Sequence, residues 1–141
     1  MSKGGSNPDS EFMNIPEDLK YSKEHEWVRV SGNIATIGVT DFAQSQLGEI
    51  VFVELPDEGE EFGEGDAVGV VESVKSVNDV YAPVSGRVVE TNDPIVDSPE
   101  IVNEDSYGEG WFIKLEISDP RELKDLMTAK QYETYIKEES E

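Results

Sequence analysis

The sequence predicts a mainly β domain, a small sandwich or barrel, with one short inserted helix and a helical C-terminus. Three observations carry this. Short apolar runs alternate with polar residues along most of the chain, as in EHEWVRVSGNIATIGVT and WFIKLEI. Gly, Pro, Asn and Asp break those runs at short intervals. Only after Ser118 does the apolar spacing lengthen to a helical period. The 141 residues suit one domain, and a hydrophobic fraction of 36% is enough for one modest core.

The elements follow in order. Residues 1–12, MSKGGSNPDSEF, lack an apolar pattern and read as an expression leader, with the natural start at Met13 and a single domain over residues 13–141. A hairpin comes next, over residues 27–30 and 33–39, turning at Ser31-Gly32-Asn33. TDFAQSQLG is a short helix, capped by Thr40 or Asp41 and stopped by Gly48. EIVFVELP is a strand ending at Pro56, and DEGEEFGEGD is an acidic, Gly-rich loop. AVGVVESV, VNDVYAPV and SGRVVETN are three more strands, and DPIVDSPEIVNEDSYGEG is a Pro-broken excursion. WFIKLEI sets Trp111, Ile113, Leu115 and Ile117 on one strand face. In DPREL, Asp119 can cap, Pro120 suits the first helical position and Glu122 completes a capping box. TAKQYETYIKEE repeats that signal with Thr128 and Gln131, and Tyr132, Tyr135 and Ile136 then fall at helical spacing.

Charge and composition narrow the function classes. A net charge of −21 leaves almost nothing to neutralise phosphates, which excludes nucleic acid and an anionic membrane surface as partners. The acidity suits docking onto proteins with basic patches, and equally suits simple solubility. No apolar run approaches the roughly 18 residues that span a membrane. Neither a secretory signal nor an Arg-rich transit peptide is visible, so the expected compartment is the cytoplasm, or the mitochondrial matrix in a eukaryote. The chain has no cysteine, which excludes disulfides, thiolate metal sites and thiol nucleophiles.

Lys75 stands out because it is the single lysine between Glu24 and Ile113. A tight turn on Lys75-Ser76 would pair Val74 with Val77, Ser73 with Asn78, Glu72 with Asp79 and Val71 with Val80. Lys-Ser lacks the tolerance of positive φ that two-residue hairpin turns favour, so the turn is either type I or strained. The ordinary reading is a solvated lysine at a loop tip. The sharper one is an amine presented on a stiff hairpin, with an acid on each strand, for attachment of a swinging arm. GEGDAVG lacks the Lys-Ser/Thr and the helix of a phosphate loop. DPIVDSPEIVNE lacks the ligand and the glycine that a calcium loop needs at its third and sixth positions. His25, the one histidine, cannot build a zinc site with these residues.

GVVESVKSVNDVYAPVSGRVVETN closely resembles the lipoyl-lysine segment of the glycine cleavage system H proteins. KEHEWV, IATIGVTDFAQSQLGEIVFVELPDEG, NEDSYGEGWFIKLEISDPREL and YETYIK extend the resemblance over residues 19–137. It implies a barrel-sandwich hybrid, the β-sandwich of lipoyl domains, with C-terminal helices. It implies lipoic acid amide-linked to Lys75 Nζ. The arm would accept an aminomethyl group from glycine at a pyridoxal-phosphate decarboxylase (P protein). It would pass that group to an aminomethyltransferase (T protein) and be reoxidised by dihydrolipoyl dehydrogenase (L protein). The carrier, expected to be a monomer, would catalyse none of these steps.

The resemblance also implies roles for other residues. A lipoate ligase or lipoyl/octanoyl transferase would read Glu72, three residues before the lysine, and Gly86, eleven after it. Gly86 has a plain reading too, as a turn or bulge glycine. The family's arm cleft lies beside the HEW segment, which makes Glu26 and Asp79 candidates to hold the cationic amine, with His25 packed near them as a buttress. Three other readings stay open. One is a lipoate relay to other complexes. Another is a biotinyl domain, although Val74 and Ser76 stand where that class has methionines. The last is a hydrolase or transferase using His25 with a carboxylate.

Overall fold

The alternating runs form nine strands, all paired antiparallel, in the computed structural model, which describes residues 14–140. The expected leader, residues 1–12, lies outside the described residues. The strands are β1 (Lys20–Tyr21), β2 (Glu26–Ser31), β3 (Ile34–Val39), β4 (Ile50–Glu54), β5 (Glu61–Phe62), β6 (Ala67–Ser73), β7 (Val77–Tyr81), β8 (Gly86–Thr91) and β9 (Ile113–Ile117). One sheet has the order β1-β2-β3-β9-β8-β5 and the other β4-β6-β7. Their inner faces share one core, with Val28, Ile37, Val88 and Leu115 from the larger sheet and Val53, Val71 and Val80 from the smaller. The architecture is the expected β-sandwich, without a closed barrel.

A second core lies on the outer side of β2. Trp27, Tyr21 and Phe42 meet Tyr132 and Ile136 of the C-terminal helix there, and the Tyr21 and Tyr132 rings stack with centroids 4.7 Å apart. So β2 buries Trp27 and Val28 on opposite faces. This arrangement depends on a missing side chain. Gly38 is the cross-strand partner of Trp27, and a Cβ there would lie 2.7 Å from Trp27 Nε1. Trp27 Nε1 also donates to Ser106 O at 2.9 Å, which fastens the segment before β9 to the same strand.

The helices form where local signals are met within the segment. In α1 (Asp41–Leu47), Thr40 caps the start by accepting from Ala43 N, and Gly48 closes the end at φ +84°. In α4 (Ala129–Ser140), the capping box closes both ways: Thr128 N donates to Gln131 Oε1 at 2.9 Å and Gln131 N to Thr128 Oγ1 at 3.2 Å. The DPREL box does not close. Asp119 caps a 3₁₀ turn over Pro120–Asp125, but the Glu122 carboxylate accepts from Ser85 N at 2.6 Å and Ser85 Oγ at 2.8 Å. The acidic loop contains β5, which pairs with β8. The Pro-broken excursion winds two short helices, α2 (Pro94–Asp97) and α3 (Ile101–Glu104), that bury Ile95 and Val102. Trp111 precedes β9 and is only half-buried, so it does not share the strand face expected of it.

The lysine hairpin keeps its expected faces but not its register. Gly69 pairs with Val80, Val70 with Asp79, Val71 with Asn78 and Glu72 with Val77. Four residues lie between the last paired residues, Glu72 and Val77, because Ser73 organises the turn. Ser73 Oγ accepts from Lys75 N at 3.2 Å and Ser76 N at 3.1 Å, and Ser73 N donates to Ser76 O at 2.8 Å. The partner of each residue moves by two, so Val71 and Val80 both stay buried, while Val74 and Val77 are 68% and 65% exposed. No residue of the turn has positive φ, which removes the strain a two-residue turn would have imposed.

Gly38→Ala should destabilise the chain by roughly 1–3 kcal/mol, because its Cβ overlaps an indole that the second core holds in place. Denaturant midpoints read this directly. A variant as stable as the parent would show that Trp27 is free to move.

Candidate functional site

The hairpin tip projects Lys75 into solvent and ties it to the body. Val74 N donates to Glu49 O at 3.2 Å. The aliphatic stem of Lys75 lies over Gly48, where a Cβ would come within 3.4 Å of Cε. Gly48 therefore ends α1 and makes room for the lysine. Ser73, Gly48 and Glu49 do this supporting work, and the motif reading did not single out Ser73 or Glu49. A serine at each end of SVKS was the visible signal for a wound tip, whereas the Glu49 contact is non-local and left none.

Beside the tip, a cleft of about 580 Å³ runs between α1 and β7. Phe42, Leu47, Val71 and Val77 give it apolar walls, and Glu26, Asp79 and His25 also line it. The structure thus gathers the three arm-cleft candidates at one place, with Leu47 and Val77 close in sequence to the supports of Lys75. Asp79 is exposed on β7, whereas Glu26 is 2% exposed. The Glu26 carboxylate accepts from Ser22 Oγ at 2.5 Å and from Tyr81 N at 3.0 Å. Burial pushes its pKa up to about 7, although both donors favour the ionised form.

His25 sits at the cleft's edge with φ +72°. A tight turn holds it there: His25 N donates to Ser22 O at 3.1 Å, and Thr40 N donates to His25 O at 3.1 Å. Its Nδ1 lies 2.8 Å from Tyr132 Oη and its Nε2 3.0 Å from Glu139. Burial lowers its pKa, against the pull of Glu139. Tyr132 Oη is also 2.7 Å from Thr40 Oγ1, the cap of α1. One hydrogen-bonded chain therefore joins α4, the cleft and α1. Both ring nitrogens are committed to it, and the Tyr132 and Thr40 hydroxyls in it are buried.

The two residues assigned to ligase recognition lie apart. Glu72 is half-buried on β6, at the last ladder pair before the turn. Gly86 is in the other sheet between Phe62 and Ile117, beyond the end of β7 that leads away from the tip. A Cβ at Gly86 would meet Glu116 O at 2.5 Å, so packing alone requires glycine there. Among the described residues, no group of three or more His, Asp or Glu is placed to hold a metal ion, and no helix is long and apolar enough to cross a membrane.

The model of the Glycine cleavage H-protein family matches residues 19–139. The chain is 58% identical over 127 residues to the Glycine cleavage system H protein of Carboxydothermus hydrogenoformans, covering 90% of this chain and 98% of that one. It is 53% identical to that of Anaeromyxobacter sp. (strain K), covering 90% of this chain and 99% of the relative. The crystal structure of a glycine cleavage system H protein from Mycobacterium marinum matches with a TM-score of 0.79 at 34% identity, covering 90% of this chain and all of that one.

The state of Glu26 has a pH signature. At low pH folded and unfolded chains both hold its proton, and it has no effect on stability. As pH rises, the unfolded chain ionises first, so the folded chain loses relative stability until pH passes about 7. The full cost is on the order of 3 kcal/mol. Glu26→Gln has no such cost and can still bond Ser22 and Tyr81. Its stability relative to the parent should rise between about pH 5 and about pH 8 in denaturant melts. A gap that stays constant would mean that Glu26 is ionised throughout.

Proposed function

The chain belongs to the glycine cleavage H-protein family, non-catalytic lipoyl carriers of the glycine cleavage system, and we propose that Lys75 is its point of lipoyl attachment. The observation that carries this reading is the exposed amine of Lys75, on a hydrogen-bonded tip, beside an apolar cleft that contains a buried carboxylate. That combination fits an aliphatic arm with a cationic end. Attachment needs an activated lipoyl group. Lys75 Nζ attacks its carbonyl, the amide forms as the bond to the activating group breaks, and the amine's proton leaves to the enzyme or to water.

Lipoate held there would supply a dithiolane that takes up the aminomethyl group of glycine and later gives it up. The remaining work belongs to the chain. Phe42, Leu47, Val71 and Val77 exclude water from an arm folded into the cleft. Glu26 offers a carboxylate whose proton is easily displaced by a cation, and Asp79 adds a second acid at the wall. His25 buttresses the edge. Glu72 and Gly86 are proposed as marks read by the lipoate ligase or transferase. The proposed partners are the decarboxylase, the aminomethyltransferase and dihydrolipoyl dehydrogenase, approached by a monomer whose −21 charge speeds encounter with basic surfaces.

Incubation with lipoate, ATP and a lipoate ligase, followed by peptide mass mapping, should place one lipoyl group on Lys75 and none on Lys75→Arg. A label on another lysine would overturn the assignment. Glu26→Gln should accept lipoate normally, yet after loading with glycine and removal of the decarboxylase it should release ammonia and formaldehyde faster. A charge-assisted contact of about 1.5–3 kcal/mol corresponds to roughly a ten- to hundredfold change. Equal release rates would remove Glu26 from the sheltering role.

A further inference from the structure

Asn103, half-buried on α3, uses its whole side-chain amide on the segment that supports the tip. Its Oδ1 accepts from Ile50 N at 2.9 Å, and its Nδ2 donates to Gly48 O and Gln44 Oε1, both at 2.8 Å. The two backbone bonds bracket Glu49. Glu49 O is the acceptor for Val74 N, immediately before the lysine, and Gly48 is the floor under the lysine's stem. The other two amides of the tip, Lys75 N and Ser76 N, turn inward to Ser73 Oγ. Ser76 O is held by Ser73 N within the hairpin, so the Val74–Glu49 bond is what joins the backbone N–H groups of residues 74–76 to a segment outside the hairpin.

A side-chain amide facing one N–H and two oxygens is satisfied in a single orientation. Here that orientation fixes the spacing between α3, the end of α1 and the start of β4. We propose that Asn103 is a positioning residue for the acceptor lysine. Through Gly48 and Glu49 it sets the height and direction at which Lys75 leaves the body. The proposal rests on Lys75 being the lipoyl acceptor.

Two variants test it. Asn103→Asp keeps the acceptor for Ile50 N but sets an oxygen against Gly48 O and Gln44 Oε1, and Asn103→Ala removes all three bonds. Asn92→Ala is the matched control, because the buried Asn92 donates to Glu109 O at 2.7 Å and Trp111 O at 2.6 Å and touches none of the tip's supports. With lipoate ligase, lipoate and ATP, at a temperature where all the chains are folded, both Asn103 variants should lose on the order of tenfold in kcat/KM for the chain. Asn92→Ala should lose stability but no kcat/KM. Amide exchange at Val74, followed by NMR in the unmodified chains, should accelerate in the Asn103 variants alone. This second readout involves no lipoate, so it stands even if Lys75→Arg shows the acceptor to be another residue. Wild-type kcat/KM in the Asn103 variants, unchanged Val74 exchange, or an equal loss in Asn92→Ala would each overturn the proposal.

Discussion

The Trp27 indole lies against β3 because Gly38 leaves it room, and much of the molecule is arranged around that contact. With Val28 turned inward and Trp27 outward, β2 serves two cores at once. The outer core holds α4, which carries Tyr132 to His25 and to the cap of α1. The indole N–H takes Ser106 O, which brings the excursion before β9 to the same place. From α3, in that excursion, Asn103 reaches the segment under the lysine. The cleft and the tip thus both take their positions from the outward, Trp27 face of one doubly buried strand.

Electrostatics inside the cleft run against those of the whole molecule. A chain with net charge −21 has no general need for another ionised acid, and burial keeps Glu26 reluctant to become one. The two donors on its oxygens keep the carboxylate aimed at β7 in either state. A cation entering the cleft would tip that balance toward ionisation, whereas a neutral guest would leave it near neutrality.

What the sequence disclosed depended on how far apart the interacting groups lie. The Thr128–Gln131 box was legible because both partners sit within one turn. The box at Asp119 was equally well written, but Ser85, 37 residues away, takes the Glu122 carboxylate. Valine symmetry suggested a two-residue turn at Lys75, and the hydroxyl of Ser73 outweighed it at a cost of register but not of face. Glu26 could be singled out only through family resemblance, because nothing local distinguishes a buried acid among 32 acidic residues. Gly38 looked like any strand glycine until its partner across the ladder was known.

The tip has one more consequence. The N–H groups of Ser73, Val74, Lys75 and Ser76 are all engaged within the chain. An approaching protein therefore finds no free backbone N–H on residues 73–76. These four residues offer a neighbour's sheet no donors, and ladder pairing needs donors as well as acceptors. A protein that hydrogen-bonds the backbone here must supply the donors from its own side. The exposed tip is thus protected from strand pairing with a second copy at residues 73–76.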